Sequence, residues 1–139
     1  MNSKLKFITI LCCSFLIISM SLIGLRSYHF TKLTDSSIMA KSHLEEMGFF
    51  VLYYSGNYGP YSLTEISIHE KPHSDILAVQ DQPADAFLGR ELHHKFFFVA
   101  NHPLNRLGHT HVSVIMDGKE IIGGFSTKKG MTYSLNRGN

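Results

Sequence analysis

Beyond residue 26 this chain has no cysteine, because both of its thiols, Cys12 and Cys13, precede that point. The remainder therefore holds no disulfide, no thiol nucleophile and no thiolate zinc site. Charge is missing over one stretch as well: between Phe7 and Leu25 there is no Asp, Glu, Lys, Arg or His. Nor is there a basic surplus where one would matter. With Lys4, Lys6 and Arg26 set aside, ten basic residues face eleven acidic ones. A domain of that balance has no electrostatic reason to hold nucleic acid. No internal repeat, low-complexity tract or glycine-rich phosphate loop occurs; Gly56 and Gly59 sit in a turn-rich stretch.

The uncharged run FITILCCSFLIISMSLIGL spans roughly 28 Å as a helix, close to the hydrocarbon thickness of a bilayer. It carries no polar stripe of the kind a core helix shows, so residues 1–26 read as a membrane anchor or a signal segment. Ser19 and Ser21 offer a small-x-small cleavage site after Ser21, which would release the rest as a secreted protein. The run is longer than the usual signal core of about 7–15 residues, which favours an uncleaved anchor in the membrane through residues 7–25. Lipidation at Cys12 or Cys13 is disfavoured, since Leu11 stands where a lipobox wants a small residue. Lys4 and Lys6 are balanced by Arg26, His29 and Lys32, so flanking charge sets orientation only weakly. The expectation is a single-pass protein with its carboxy-terminal domain outside.

Residues 27–34 read as a linker and 35–139 as one domain, long enough for a modest core. DSSIMAKSHLEEMG predicts a helix, with Asp35 or Ser36 as cap, an apolar stripe of Ile38, Met39, Leu44 and Met47, and Gly48 as its stop. FFVLYY predicts a strand entering the loop SGNYGP, and YSLTEISIHE a second strand. KPHSDILAVQDQPADAFLG reads as a polar connection with an apolar island from Ile76 to Val79. RELHHKFFFVANHP predicts a long strand covered on both faces at its centre. In THVSVIMDGKEIIGGFS, alternation around Asp117-Gly118 predicts a tight hairpin. Gly123-Gly124 marks a bulge or a close approach. The fold class is α+β: a membrane helix, then one amphipathic helix packed on a mainly antiparallel sheet of 4–5 strands.

The order helix, glycine, aromatic strand, then AVQ…FLGREL…FFFVANHPL…VSVIMDGKEIIGGFS, resembles a family of small membrane- or lipid-anchored extracytoplasmic proteins of Gram-positive bacteria with a domain of unknown function. The likeness runs from Ser36 to Ser126. Its marks are Gly89, Asn101-His102-Pro103-Leu104, Asp117-Gly118 and Gly123-Gly124. The resemblance implies an extracytoplasmic domain and no particular reaction. This chain departs from the lipid-anchored members by lacking a lipobox, which leaves its mode of attachment open.

Nine histidines invite a search for chemistry. His69-Glu70-Lys71-Pro72-His73 spells the zinc-protease letters H-E-x-x-H, but that motif needs both imidazoles on one helical face. Pro72 breaks such a turn at a cost of about 3 kcal/mol, and Lys71 brings a cation to a dication. His109 and His111 share one strand face, and His102 lies across the connecting loop. These three could offer neutral imidazoles to Zn²⁺ or Cu²⁺, although no nearby carboxylate orients them. The plainer reading makes them surface residues of an edge strand. His94 shares its face with Phe96 and Phe98 as a core-edge histidine, while His93 points the other way. His43 pairs with Glu46 on a helix flank. Tyr53, Tyr54, Tyr58 and Tyr61 either cap a sheet edge or line a groove for peptide or glycan.

No serine is marked as activated, and Asp81 and Asp85 lie in a solvated connection. The expectation is therefore a non-enzymatic interaction domain with no cofactor, acting on a membrane or envelope protein through a sheet edge or the tyrosine-rich loop. The alternative is a histidine-based metal-binding or pH-sensing domain.

Overall fold

A computed structural model describes residues 3–103 and 110–135. It divides into two compact units, residues 1–32 and 33–139. The first is a single helix, α1, Ser3–Thr31, whose portion Lys6–Thr31 is long and apolar enough to cross a membrane. The helix continues through Thr31, so most of the stretch read as a linker is helical. Ser14, Ser19 and Ser21 return their hydroxyls to carbonyls of the preceding turn, Leu11, Phe15 and Ile17, so each polar group is satisfied within the helix. Beyond the apolar run, Arg26 lies over the Phe30 ring and Lys32 over Tyr28, a cation-and-aromatic end typical of helices at an interface.

The second unit is α+β. Its helix α2, Asp35–Glu46, is capped by Thr34, not by Asp35 or Ser36: the Thr34 hydroxyl accepts from the Ser37 N–H. The carboxy end closes as a Schellman motif. Phe49 N–H donates to Leu44 O and Gly48 N–H to Glu45 O, and Gly48 supplies φ +89°. The buried stripe is Ser37, Ala40 and Leu44. Ile38 and Met39, expected inward, are 45% and 41% exposed. Spacing of i, i+3 and i+7 puts the small residues inside because the helix lies close to the sheet.

Five strands follow in the order β1-β2-β3-β4-β5, each antiparallel to the next. They are β1 Val51–Tyr61, β2 Leu92–Val99, β3 Thr110–Asp117, β4 Glu120–Lys128 and β5 Met131–Ser134. The SGNYGP stretch, expected as a loop, belongs to β1. Two of the three register shifts against β2 absorb its turn-forming residues, with Gly56 at φ +136° and Gly59 at φ +120°. Both hairpins after β3 have two-residue loops. Gly118-Lys119 has positive φ only at the glycine, whereas Lys129 and Gly130 both take positive φ, 51° and 78°. The second hairpin has no counterpart among the sequence expectations.

One face of the sheet carries Phe97, Val99, Thr110, Val112, Val114 and Met116, all buried, with α2 against β1, β2 and β3. The opposite face carries Leu92, Ile115 and Phe125, and is covered by the segment between β1 and β2 through Leu63, Ile68, Leu77 and Phe87. This segment is not the second strand expected over residues 61–70. It holds one bridge, Leu63 to Leu88, a 3₁₀ turn at Ser67–His69, the short helix α3 (His73–Leu77) and a 3₁₀ turn at Ala84–Phe87. Thr64 and Ser67 exchange backbone-to-hydroxyl bonds, which favour a helical turn over a strand. At β2 the expectation of two covered faces holds on one side only: Phe97 is buried, while Phe96 and Phe98 are half-buried.

Gly123 and Gly124 serve both readings at once. The register between β3 and β4 shifts beside them, and Cβ atoms there would lie 2.3 Å from Gln80 Oε1 and 2.3 Å from Leu135 Cδ1. Gln80 behaves as a surrogate strand residue: Oε1 accepts from Gly124 N–H at 2.9 Å and Nε2 donates to Ile76 O at 2.8 Å. A cleft of about 280 Å³ opens beside it, with His43 and Met47 on the α2 side.

Candidate functional site

Two groups of side chains stand out on the face opposite α2. The first is a row across three strands. Tyr53 on β1 pairs with Phe98 on β2, which pairs with His111 on β3. Strand alternation sends all three to one face, with ring centroids 6.1 Å apart for Tyr53–Phe98 and 4.1 Å for Phe98–His111. The covering segment packs towards Leu92 and Ile115, at the other end of these strands. Tyr53 is 47% exposed and His111 is exposed. The row thus presents aromatic surface with polar tips, a chemistry that suits protein and peptide contacts.

The second group surrounds one buried imidazole. His94, 5% exposed, is ringed by Tyr61 at 5.2 Å, Phe125 at 5.4 Å, Phe96 at 5.9 Å and Tyr58 at 6.2 Å. Its Nε2 is hydrogen-bonded to the Tyr61 hydroxyl. On its other side Tyr61 stacks on His73, with centroids 5.5 Å apart and planes 8° from parallel. Burial, helped by the charge His73 can carry, pushes the His94 pKa from 6.5 down to about 4. Burial and then Tyr58 push the Tyr61 phenol well above its usual value. Both shifts favour the neutral forms, so Tyr61 donates and His94 accepts, with the imidazole proton on Nδ1. Such a pair is a poor general base at neutral pH and a sound structural contact.

The histidines singled out by sequence are distributed as follows. His69 closes the Ser67–His69 turn, and His73 opens α3 with Pro72 as its N-cap, so the H-E-x-x-H letters span two elements. Lys71 pairs with Asp75 at 3.3 Å. His102 is buried and lies flat on Phe49, with centroids 5.6 Å apart and planes at 10°. Burial, then Lys128, lowers its pKa. His111 packs on Phe98. His109, the third member of the expected metal set, lies outside the described residues. Among the described residues, no group of three or more His, Cys, Asp or Glu is placed to hold a metal ion.

Of the four tyrosines, Tyr54 packs on Phe97, while Tyr58 and Tyr61 join the His94 group. Sequence reading recognised His94 as a core-edge histidine and singled out Tyr61, but not their pairing, which spans 33 residues and arises only because β1 extends that far. Nor did it give Asn101 a structural role. This residue donates Nδ2–H to Gly48 O at 2.6 Å and accepts Phe50 N–H at Oδ1 at 2.5 Å. This asparagine is thus a clamp on the turn between α2 and β1.

No family model, no curated protein and no solved structure matches this chain.

Proposed function

We propose that this chain is a membrane-anchored, extracytoplasmic, non-enzymatic interaction domain that binds an extended segment of a membrane or envelope protein. The observation that carries this reading is the row Tyr53–Phe98–His111, exposed at both ends and half-buried at Phe98, laid across three strands of a sheet whose other face is closed by α2. Aromatic side chains give large contact area at low entropic cost, and their polar atoms tolerate water before binding. The long edge of β1 is a less suitable contact, since Pro60 and three register shifts interrupt it as a template for another strand. The apolar span of α1 supports an anchor that holds the domain beside such a partner.

The test is site-specific photo-crosslinking of the full chain in its native membrane. A benzoylphenylalanine at position 53 or 111 should yield one discrete adduct that the same group at Lys119, on the β3–β4 hairpin tip, does not. Equal adducts at all three positions, or none at 53 and 111, would remove the aromatic row as the binding surface.

A further inference from the structure

The buried histidine group lies where the covering segment meets the sheet. We propose that Tyr61, His73 and His94 form an acid-sensitive latch that holds residues 63–88 on the sheet at neutral pH and releases them when the pH falls. This takes up the pH half of the histidine reading and gives it a location and a consequence.

The geometry has three parts. His94 stands on β2, Tyr61 at the end of β1 where the segment departs, and His73 on α3 within the segment. Tyr61 lies between the two imidazoles, bonded to one and stacked on the other. Protonation of His94 puts a proton on Nε2, so the bond to Tyr61 must reverse, with the phenol oxygen accepting and its proton turned elsewhere. It also places a cation in a site walled by Phe96, Phe125, Tyr58 and Tyr61. The His73 ring lies on the far side of Tyr61, stacked on it, so any displacement of Tyr61 is felt directly by α3.

The groups around the site offer little to offset that charge. β1 contributes the two phenols, and β4 contributes Phe125. On α3, Asp75 is ion-paired with Lys71. On β2, His93 and Lys95 alternate to the opposite face, and His93 leans on Glu91 at 3.4 Å. Glu70, at the end of the 3₁₀ turn, is exposed. Low pKa follows from this setting: the proton is refused until the solution is well below the ordinary histidine range.

Release would be local. The segment is tied by one β-bridge, by Gln80 and by side-chain packing, with helices of only three to five residues. Such pieces open before a continuous ladder does. What opening exposes is apolar: Leu92, Ile115 and Phe125, adjoining the aromatic row on the same face. Acid would thus enlarge the contact surface.

The experiment is hydrogen exchange of the full chain in detergent micelles at pH 7.5, 5.5 and 4.5, corrected for intrinsic rate. Peptides from 63–88 should lose protection between pH 6 and 4 at least tenfold more than those of β3 and β4. His94→Phe should abolish that acid loss. A segment that stays protected at pH 4.5 overturns the latch and the pH reading together. Acid loss that persists unchanged in His94→Phe overturns the latch alone. Should the variant not fold, histidine NMR titration of the unaltered chain decides. A His94 resonance titrating near 6.5 overturns the proposal, and one titrating near 4 with the loss of protection supports it.

Discussion

Asn101 holds Phe50 in place: its carboxamide accepts the Phe50 N–H while donating to the Gly48 carbonyl two residues earlier. One side chain at the end of β2 thereby sets the path by which α2 turns into β1. Ala100 N–H, bonded to Phe50 O at 3.0 Å, completes the clamp.

Asn101→Ala should therefore cost about 1–2 kcal/mol, two hydrogen bonds at roughly 1 kcal/mol each with some solvent compensation. Asn101→Asp keeps the acceptor and loses the donor, and should fall between. Denaturant unfolding of the full chain in micelles measures both. An alanine variant within about 0.3 kcal/mol of the parent would remove the clamp from the account.

The inward stripe of α2 gives a second contrast. Leu44, fully buried, should cost about 2–4 kcal/mol when replaced by alanine. Ile38, 45% exposed, should change stability by less than about 0.5 kcal/mol. An Ile38→Ala cost as large as that of Leu44→Ala would restore the stripe expected from sequence and contradict the packing of α2.

At the β4 glycines, Gly124→Ala should destabilise by about 1–3 kcal/mol, because its Cβ would press on Leu135 and lie 2.9 Å from the Ser113 carbonyl. Leu135→Ala in the same chain should recover only part of this loss, since the backbone carbonyl cannot withdraw. Full recovery would assign the close approach to Leu135 alone.

The pH dependence has a definite sign. His94 takes a proton near pH 6.5 when unfolded and at about 4 when folded, so between these values the unfolded chain holds more protons. Its stabilising contribution is whole above pH 6.5, declines as the pH falls, and is lost below 4, a change of roughly 3 kcal/mol. In His94→Phe this slope should flatten, while the orphaned Tyr61 hydroxyl costs about 1–3 kcal/mol at pH 7.5. Thermal unfolding from pH 7.5 to 4 reads both effects.

Much of the architecture could be read locally. The α2 stop at Gly48 and the hairpin after Asp117 depend on residues within a few positions of each other, whereas Gly123-Gly124 signalled a close approach without naming its partners, Gln80 and Leu135. Misread elements depended on distant partners. SGNYGPY looks like a loop until β2 pairs with it and bulges take up its glycines. YSLTEISIHE alternates well enough for a strand, but the Thr64–Ser67 exchange turns it into a helical turn. The site was harder still. His94 showed its burial through alternation with Phe96, whereas Tyr61 and His73 reach it from two other elements, and no spacing in the chain announces that meeting.

The proposed topology puts the α+β domain outside the membrane, with α1 as its anchor. Its most direct test is labelling of Lys119→Cys, with Cys12 and Cys13 changed to serine, in intact cells with a membrane-impermeant maleimide. The account predicts full labelling before lysis. Labelling only after the membrane is broken would place the domain inside and remove the ground for an extracytoplasmic partner.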